Sequence, residues 1–181
     1  MSKNTDNLYV HYGSDKFILG KSKELRNRTG VCKPFGGLWS SPVYGTNNTW
    51  RRFCKDEHFN VESLNKSFRF RLKDDSKILK INSITDVSNM YKRFPRVLSS
   101  GEKIMAQFLD CGPFERFGIS EGSLVDYERM SRVYDGIEIR DINKDDDDLS
   151  YWMRHNGWDV DTLLVFNPNI IQCEKTTVSC Y

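Results

Sequence analysis

The stretch FGGLWSSPVYG, residues 35–45, decides how the rest of the chain is interpreted. The whole chain has only 12 Gly and 5 Pro, yet this stretch contains three of the glycines and one of the prolines. Adjacent glycines weaken a strand unless something must pass close to the main chain. Leu38 and Trp39, in contrast, are residues that a buried strand accommodates well. The sequence therefore predicts a strand that lines a pocket.

The length and composition of the chain predict a globular protein of one domain, residues 1–181. Lys and Arg number 27 and Asp and Glu number 25, which leaves a formal net charge of +2. This small excess of positive charge argues against a dedicated nucleic-acid-binding protein, whose affinity for nucleic acid would come mainly from neutralising phosphates. It does not exclude an RNA substrate. With 29% charged and 13% aromatic residues, the composition is not that of a disordered chain.

The sequence also predicts a compartment. No apolar run is long enough to span a bilayer, and the polar N-terminus MSKNTDN lacks the pattern of a signal peptide. The five cysteines show no CxxC spacing and are odd in number, so neither a metal cluster nor a disulfide framework is predicted. We expect a cytoplasmic monomer that uses no metal ion and does not bind a membrane.

Apolar patterns predict the strands. LYVHYG is a short strand that ends at Gly13, and KSFRFRLKD alternates Phe68 and Phe70 with basic residues, as a half-buried strand does. SKILKINSI follows across the turn-like DDS, so these two segments are predicted to form a hairpin. GIEI and DTLLVFNP predict two further strands, the second apolar on both faces.

Helices are predicted in three segments, TWRRFCKDEHF, residues 85–109 and SLVDYERMSRVYDG. In the second, Ile104 and Phe108 are spaced to share a face. In the third, Ser123 is a candidate N-cap and Gly136 marks the end, while NKDDDDLS is predicted as a solvated loop. The fold class expected from these elements is α+β, with a mostly antiparallel central sheet and flanking helices.

Three pieces of the chain, taken in order, resemble a known superfamily: LYVHYGS, GGLWSSP, and YDGI followed by DTLLVFNP. They are similar to the first strand, the second strand and the final strand pair of NAD-dependent ADP-ribosyltransferases, especially small bacterial and phage members. In that superfamily a short strand ends in His or Arg followed by Gly and Ser or Thr, as with His11, Gly13 and Ser14. A later strand carries Ser-Thr-Ser or Gly-x-Tyr, which GLWSS resembles. The resemblance implies a split central sheet.

The resemblance implies an enzyme that cleaves the nicotinamide–ribose bond of NAD and moves ADP-ribose onto a macromolecular acceptor, protein or nucleic acid, with a protein as the favoured class. That bond breaks through an oxocarbenium-like species, so the site must hold the ring and the ribose and place a carboxylate near the positive charge. His11 is expected to bond a ribose hydroxyl, and Trp39 to stack on the nicotinamide. The expected NAD-binding residues are His11, Tyr12, Gly13, Ser14, Gly37, Leu38, Trp39, Ser40 and Ser41.

Several of these residues have specific expected roles. The main chain at Tyr12 or Gly13 is expected to bond the carboxamide. Ser40 or Ser41 is expected to orient His11 or the acid. The missing side chain at the Gly36–Gly37 pair is expected to give NAD access to the strand.

The catalytic acid is the part of the pattern that the chain does not reproduce. The superfamily usually has a Glu at the head of the last strand, within Gln-x-Glu or Glu-x-Glu, whereas this chain has WDVDTLLVFNP. Asp161 is closest to that position, followed by Glu138 and then Asp141 as alternatives. Asp159 is as well suited to turning the backbone after Gly157 as to acting on a substrate. The expected catalytic residues are Asp161, Glu138 and His11.

Other functions stay open on the sequence alone. An NAD glycohydrolase, an RNA 2′-phosphotransferase-like enzyme and a non-catalytic binding or inhibitor protein on the same fold are the alternatives. The phosphotransferase needs several Arg and His side chains that converge on phosphates, and no motif in this sequence indicates such a cluster. The resemblance to phage and bacterial members also suggests a phage or toxin effector, and then the cytoplasm would be that of the host cell. A solvated loop is predicted for the basic residues of the region 16–33, and contact with the cofactor diphosphate or an acidic target is the alternative. These residues are Lys16, Lys21, Lys23, Arg26, Arg28 and Lys33.

Overall fold

The computed structural model describes residues 7–28, 33–44, 49–102, 104, 124–140 and 147–174. Its strands are β1 (Leu8–Tyr12), β2 (Leu38–Pro42), β3 (Ser67–Leu72), β4 (Ile78–Ile81), β5 (Gly136–Ile139), β6 (Thr162–Val165) and β7 (Ile171–Cys173). They form one seven-stranded sheet in the order β4-β5-β6-β2-β1-β3-β7. The β4–β5 pair is parallel, and the other neighbours are antiparallel. The expected α+β class with a mostly antiparallel sheet is confirmed.

The sheet is accompanied by the helices α1 (Trp50–Asp56), α2 (Ile84–Arg93), α3 (Tyr127–Met130) and α4 (Asp147–His155). Residues 100–102 and 104 are also helical. Side chains cap three of the named helices. Thr49, Ser83 and Asp126 each accept a hydrogen bond from a backbone N–H in the first turn, which satisfies donors that the helix itself cannot. These caps fix where α1, α2 and α3 begin.

The sheet separates two hydrophobic clusters. On one face, Met90 of α2 and Trp152 of α4 pack with Leu164 of β6. On the other face, Tyr9 of β1 packs with Phe70 of β3 and with further residues of β6. All four residues of β6 are buried, so this strand lies at the centre of the fold, as its uniformly apolar sequence predicted.

The predicted hairpin between the third and fourth strands is wrong. β3 pairs with β1 and β7, while β4 pairs with β5 near the opposite edge of the sheet. An alternating pattern indicates which face of a strand is buried, but it does not select the neighbouring strand. The proximity of the two segments in sequence was therefore a poor guide to their pairing.

The predicted helix boundaries need three corrections. Helix α2 ends at Arg93, because Pro95 follows and a proline disfavours helical backbone in the residue before it. Helix α3 covers four residues and is capped by Asp126. Residues 147–155 form α4 where a loop was expected over NKDDDDLS. Phe108 and Ser123 lie outside the described residues.

Candidate functional site

A cleft opens between β1 and β2 halfway along the two strands. Their backbone ladder pairs Tyr9 with Pro42 and Val10 with Ser41. On its other edge, β1 stays paired with β3 as far as Tyr12. The end of β1 therefore separates from β2 while it is still held by β3, and this separation leaves space in the middle of the sheet.

The cleft leads into a cavity of about 330 Å³. Sites for small ligands range from about 300 to 1,000 Å³, so this cavity has room for part of a dinucleotide. Six of the nine expected NAD-binding residues line this cavity. They come from the end of β1 and from the middle of β2: His11, Tyr12, Gly13, Trp39, Ser40 and Ser41. The expected pocket strand is thus found beside a cavity.

The cavity holds His11 in one orientation. Its Nδ1 lies 2.7 Å from the carbonyl oxygen of Trp39, and because a carbonyl only accepts, Nδ1 must carry the proton of this bond. Burial lowers the pKa of His11 below its ordinary value, and the bond to Trp39 opposes that shift. His11 is therefore neutral at pH 7, and Nε2 is a hydrogen-bond acceptor.

The main chain at the end of β1 has two different roles. The Leu8 carbonyl accepts from Val43 on the β2 side, and backbone groups alternate between the two edges of a strand. The N–H and C=O of Tyr12 therefore point toward the cleft. The N–H of Gly13 donates to the carbonyls of Ser63 and Lys66 instead. Of the two main-chain positions expected to bind a carboxamide, Tyr12 is the better placed.

A cation lies between an aromatic ring and a carboxylate in the cavity. The Nζ of Lys33 is 5.6 Å from the ring centroid of Trp39 and 3.5 Å from Oδ2 of Asp159. The Trp39 ring in turn packs on Trp158, with 5.1 Å between centroids. Burial lowers the pKa of the Lys33 amine, and Asp159 opposes this change. The site therefore combines a π-face and an acidic oxygen around one positive charge.

The two serines of the opening stretch bind backbone groups. Ser40 Oγ donates to the carbonyl of Leu163 at 2.9 Å, and Ser41 Oγ accepts from the N–H of Trp50 at 3.1 Å. These bonds fasten β2 to β6 and to the first turn of α1. The expectation that a serine orients His11 is corrected, because the Trp39 carbonyl does so.

The glycine pair has a backbone role. Gly36 has φ +86° and Gly37 has φ +65°, in the left-handed region that favours glycine. A Cβ on Gly37 would lie 2.7 Å from Leu164 Cδ1 and 2.9 Å from the carbonyl oxygen of Val165. Gly37 is itself a described residue and does not line the cavity. The glycines therefore let the chain turn tightly into β2 against β6, and the expected access for NAD at Gly37 is corrected.

Two further residues of the expected NAD-binding set also lie outside the cavity wall. Leu38 packs on the cluster that contains Tyr9 and Phe70. Ser14 Oγ donates to the carbonyl of Lys16 at 2.8 Å and so closes a local turn. Both residues support the site from outside.

Glu138, the second candidate acid, is bound in a buried ion pair. Its Oε1 accepts from Arg140 Nε at 2.6 Å and from the Tyr9 hydroxyl at 2.7 Å. Burial and the adjacent carboxylate raise the pKa of Tyr9, which therefore stays a donor. Because β6 and β2 lie between β5 and β1, this cluster joins two strands that are not neighbours.

The other candidate acids are placed as follows. Asp161 is 1% exposed and, like Glu138, is not part of the described cavity wall. Asp141 lies outside the described residues. Asp159 does line the cavity, with its side chain 36% exposed. Among the candidate acids that the structure describes, Asp159 is therefore the one that lines the cavity. The sequence analysis had considered Asp159 equally suited to a backbone turn.

No protein-family model, curated protein or solved structure matches this chain. Any conclusion about its chemistry therefore depends on the residues of the cavity. In the ranges that the structure describes, no helix is long and apolar enough to cross a membrane. Those ranges also contain no group of three His, Cys, Asp or Glu side chains arranged to hold a metal ion.

Sequence reasoning did not bring four residues of the wall together, namely Lys33, Trp50, Trp158 and Asp159. It missed Trp50 and Trp158, and it gave Lys33 and Asp159 a role in the site only as an alternative. The four residues come from separate places in the chain, and their meeting depends on the pairing of β2 with β6. A partial indication was present in GWDVD, where Gly157 directly precedes Trp158, while only Leu38 separates the Gly-Gly pair from Trp39. Both segments place a tryptophan next to a tight turn.

Proposed function

We propose that this protein cleaves the nicotinamide–ribose bond of NAD and transfers ADP-ribose to a macromolecular acceptor. The observation that carries the proposal is the cation held between the Trp39 ring and the Asp159 carboxylate, beside a neutral His11. On this proposal the split sheet is an ADP-ribosyltransferase-like fold and the cavity receives the nicotinamide ribose half of NAD.

The charges of the cavity suit this substrate. The nicotinamide ring of NAD is a flat cation, and a cation over a Trp face is stabilised by about 0.5–2 kcal/mol. Trp39 and Trp158 supply such a surface, and Lys33 shows that a positive charge is accommodated there. In this proposal the nicotinamide ring displaces the Lys33 ammonium group.

The polar groups of the cavity suit the ribose and the carboxamide. His11 Nε2 accepts a hydrogen bond from a ribose hydroxyl, since Nδ1–H is committed to Trp39. The main chain of Tyr12 presents one donor and one acceptor to the cleft, as a carboxamide requires. Gly13 has nothing within 4 Å of the position that a Cβ would occupy, so its backbone leaves room for a ligand.

The bond changes define what the acid must do. The bond between ribose C1′ and the nicotinamide nitrogen breaks, and its electron pair leaves with neutral nicotinamide. Positive charge then develops on the ribose, where a carboxylate stabilises it. A nucleophilic oxygen or nitrogen of the acceptor bonds to C1′ and releases its proton to solvent. Asp159 is the carboxylate that we assign to this charge.

The first test is a calorimetric titration with NAD, combined with an assay for released nicotinamide. The wild-type protein is expected to bind NAD and release nicotinamide when an acceptor is present. His11→Ala is expected to weaken NAD binding by about 1–3 kcal/mol, because a buried hydrogen bond is lost. Wild-type affinity should also fall at acidic pH, with a midpoint below the ordinary His value of 6.5, since protonation removes the Nε2 acceptor.

His58→Asn is the matched control for this test. His58 is exposed, lies outside the cavity wall and has φ +51°, and Asn tolerates that backbone. Unchanged NAD affinity is expected. The cavity assignment is wrong if folded His11→Ala binds NAD as tightly as the wild type does. Nicotinamide release without any acceptor would identify hydrolysis in place of transfer.

Lys33→Ala tests the displacement of the ammonium group. Its removal should tighten NAD binding roughly three- to tenfold, because a partly exposed ion pair and a cation–π contact no longer compete with the nicotinamide. The measurement is the same titration with NAD.

Lys23→Ala provides the matched control, because Lys23 Nζ lies 5.1 Å from the Phe35 ring in a similar contact outside the cavity. This variant should bind NAD with wild-type affinity. Weaker binding by Lys33→Ala would contradict the displacement and indicate that Lys33 contacts the NAD phosphates.

A further inference from the structure

Three aromatic rings form a cluster at the outer edge of the cavity. Trp50 stacks on Phe53, with 5.4 Å between centroids and 19° between planes. Phe59 meets both rings edge-on, at 5.9 and 6.4 Å. The side of this cluster formed by Phe59 is open to solvent, since that residue is 53% exposed.

The backbone around Phe59 is held in an uncommon conformation. His58 has φ +51° and Asn60 has φ +49°, values that cost a residue with a side chain about 1–2 kcal/mol. The two left-handed residues place Phe59 against Trp50 and Phe53 without burying it. His58 follows the C-cap of α1, and the N–H of Phe59 donates to the carbonyl of Cys54 at 3.0 Å, as in a common helix C-cap. This cap holds Phe59 against Phe53 and leaves part of its ring open to solvent.

Two positive charges lie near Tyr12, which lines the cavity together with Trp50. Arg51 and Arg69 are both exposed, and both lie close enough to the Tyr12 hydroxyl to oppose the rise in its pKa that burial causes. Arg52 is also on α1, but it is paired with Asp56. We use the name ring–arginine surface for Trp50, Phe53, Phe59, Arg51 and Arg69.

The ring–arginine surface is continuous with the cavity. Trp50, Tyr12 and Asn60 line the cavity wall, and Trp50 and Asn60 also contact or adjoin the exposed Phe59. A chain molecule bound on this surface would therefore have one of its units at the cavity mouth. Rings for stacking next to cations for phosphates are the combination that binds single-stranded nucleic acids.

We propose that the ring–arginine surface binds single-stranded nucleic acid and presents it to the cavity as the acceptor. Bases stack on Phe59 and the exposed edges of its neighbours, while Arg51 and Arg69 contact backbone phosphates. Binding of the strand is independent of NAD, and its role as acceptor rests on the proposed function. The net charge of +2 argued against a dedicated nucleic-acid binder, but a whole-chain sum does not show that Arg51 and Arg69 both lie near Tyr12 at the cavity.

The test is fluorescence anisotropy of a 5′-labelled oligothymidylate of about 15 nucleotides, long enough for one site, with the whole protein and without NAD, at a series of salt concentrations. Binding is expected at low salt and should weaken as salt rises, with a slope of about −0.7 for each phosphate contact. A blunt duplex of the same length should bind less tightly, because its bases are already stacked.

Variants separate stacking from charge. Phe59→Leu keeps apolar volume but removes the ring, so affinity should fall on the order of tenfold, whereas Phe59→Tyr should retain it. Arg51→Ala and Arg69→Ala should each lower the salt slope by about 0.7. Arg132→Ala, at an exposed arginine outside the ring–arginine surface, is the matched control and should bind as the wild type does.

The outcomes separate this inference from the proposed function. No binding of the strand at low salt, or equal loss in Arg132→Ala and Arg69→Ala, would overturn it even if NAD is cleaved. Exclusive labelling of protein acceptors in a mixture with the oligonucleotide would overturn it as well. Conversely, binding that responds to Phe59→Leu without any cleavage of NAD would support the surface and reject the proposed reaction.

Discussion

Asp159→Asn is expected to lower the rate of nicotinamide release on the order of 100-fold or more while leaving NAD affinity nearly unchanged. The positive charge on the ribose appears only as the glycosidic bond breaks, so a carboxylate beside it stabilises the transition state more than bound NAD. The amide keeps the shape of the side chain and removes its charge. Losses of this size follow the removal of other groups that act on developing charge. Turnover and the dissociation constant, measured separately, check this prediction.

Asp161→Asn and Glu138→Gln are the comparisons for this variant. Asp161 is two residues along the chain and buried, and Glu138 is paired with Arg140. Each variant is expected to turn over NAD at near the wild-type rate per folded molecule. If either loses activity while Asp159→Asn retains it, the acid has been assigned to the wrong residue. Loss in Asp161→Asn would restore the sequence-based ranking that places Asp161 first, and loss in Glu138→Gln would assign the acid to β5.

Gly37→Val is expected to destabilise the fold by about 2–5 kcal/mol. A left-handed φ costs a residue with a Cβ about 1–2 kcal/mol, and forcing extra volume into a packed site adds about 1–3 kcal/mol. For a chain of this length the melting temperature should fall by roughly 5–15 °C. Below that temperature the variant should bind NAD normally, since Gly37 does not line the cavity.

Gly20→Val is the control, because Gly20 has no atom within 4 Å of the position that a Cβ would occupy and no positive φ. Its melting temperature should change little. A Gly37→Val protein that melts as the wild type does but fails to bind NAD would show that the glycine admits the ligand, as the sequence alone suggested.

The secondary structure of a segment was predictable where the residues of that segment alone favour it. The strand at LYVHY, the strand at LWSSP and the fully buried TLLV follow from local apolar patterns. The strands that pair with β3 and β4 could not be predicted from local patterns, because pairing depends on contacts between residues far apart in sequence. Pro95 is a local indication that the long helix must stop, and the apolar pattern alone does not register it.

The site was predictable where a motif contains the residue. His11 and Trp39 lie in short motifs with a resemblance behind them, and both line the cavity. Lys33 and Asp159 belong to no motif, and their contact of 3.5 Å exists only after β6 has paired with β2. The roles of Ser40 and Ser41 were mistaken because a sequence shows a hydroxyl but not the backbone group that it will bond.

The cluster of Tyr9, Glu138 and Arg140 helps to hold β1, and with it the backbone of His11, in position before a ligand binds. Tyr9 is two residues before His11 on the same face of β1, and its hydroxyl donates to Glu138 of β5. The imidazole is thus fixed at both its backbone and its ring before any ligand arrives. A ligand that bonds Nε2 loses little free energy to ordering that side chain, so more of the interaction remains as affinity.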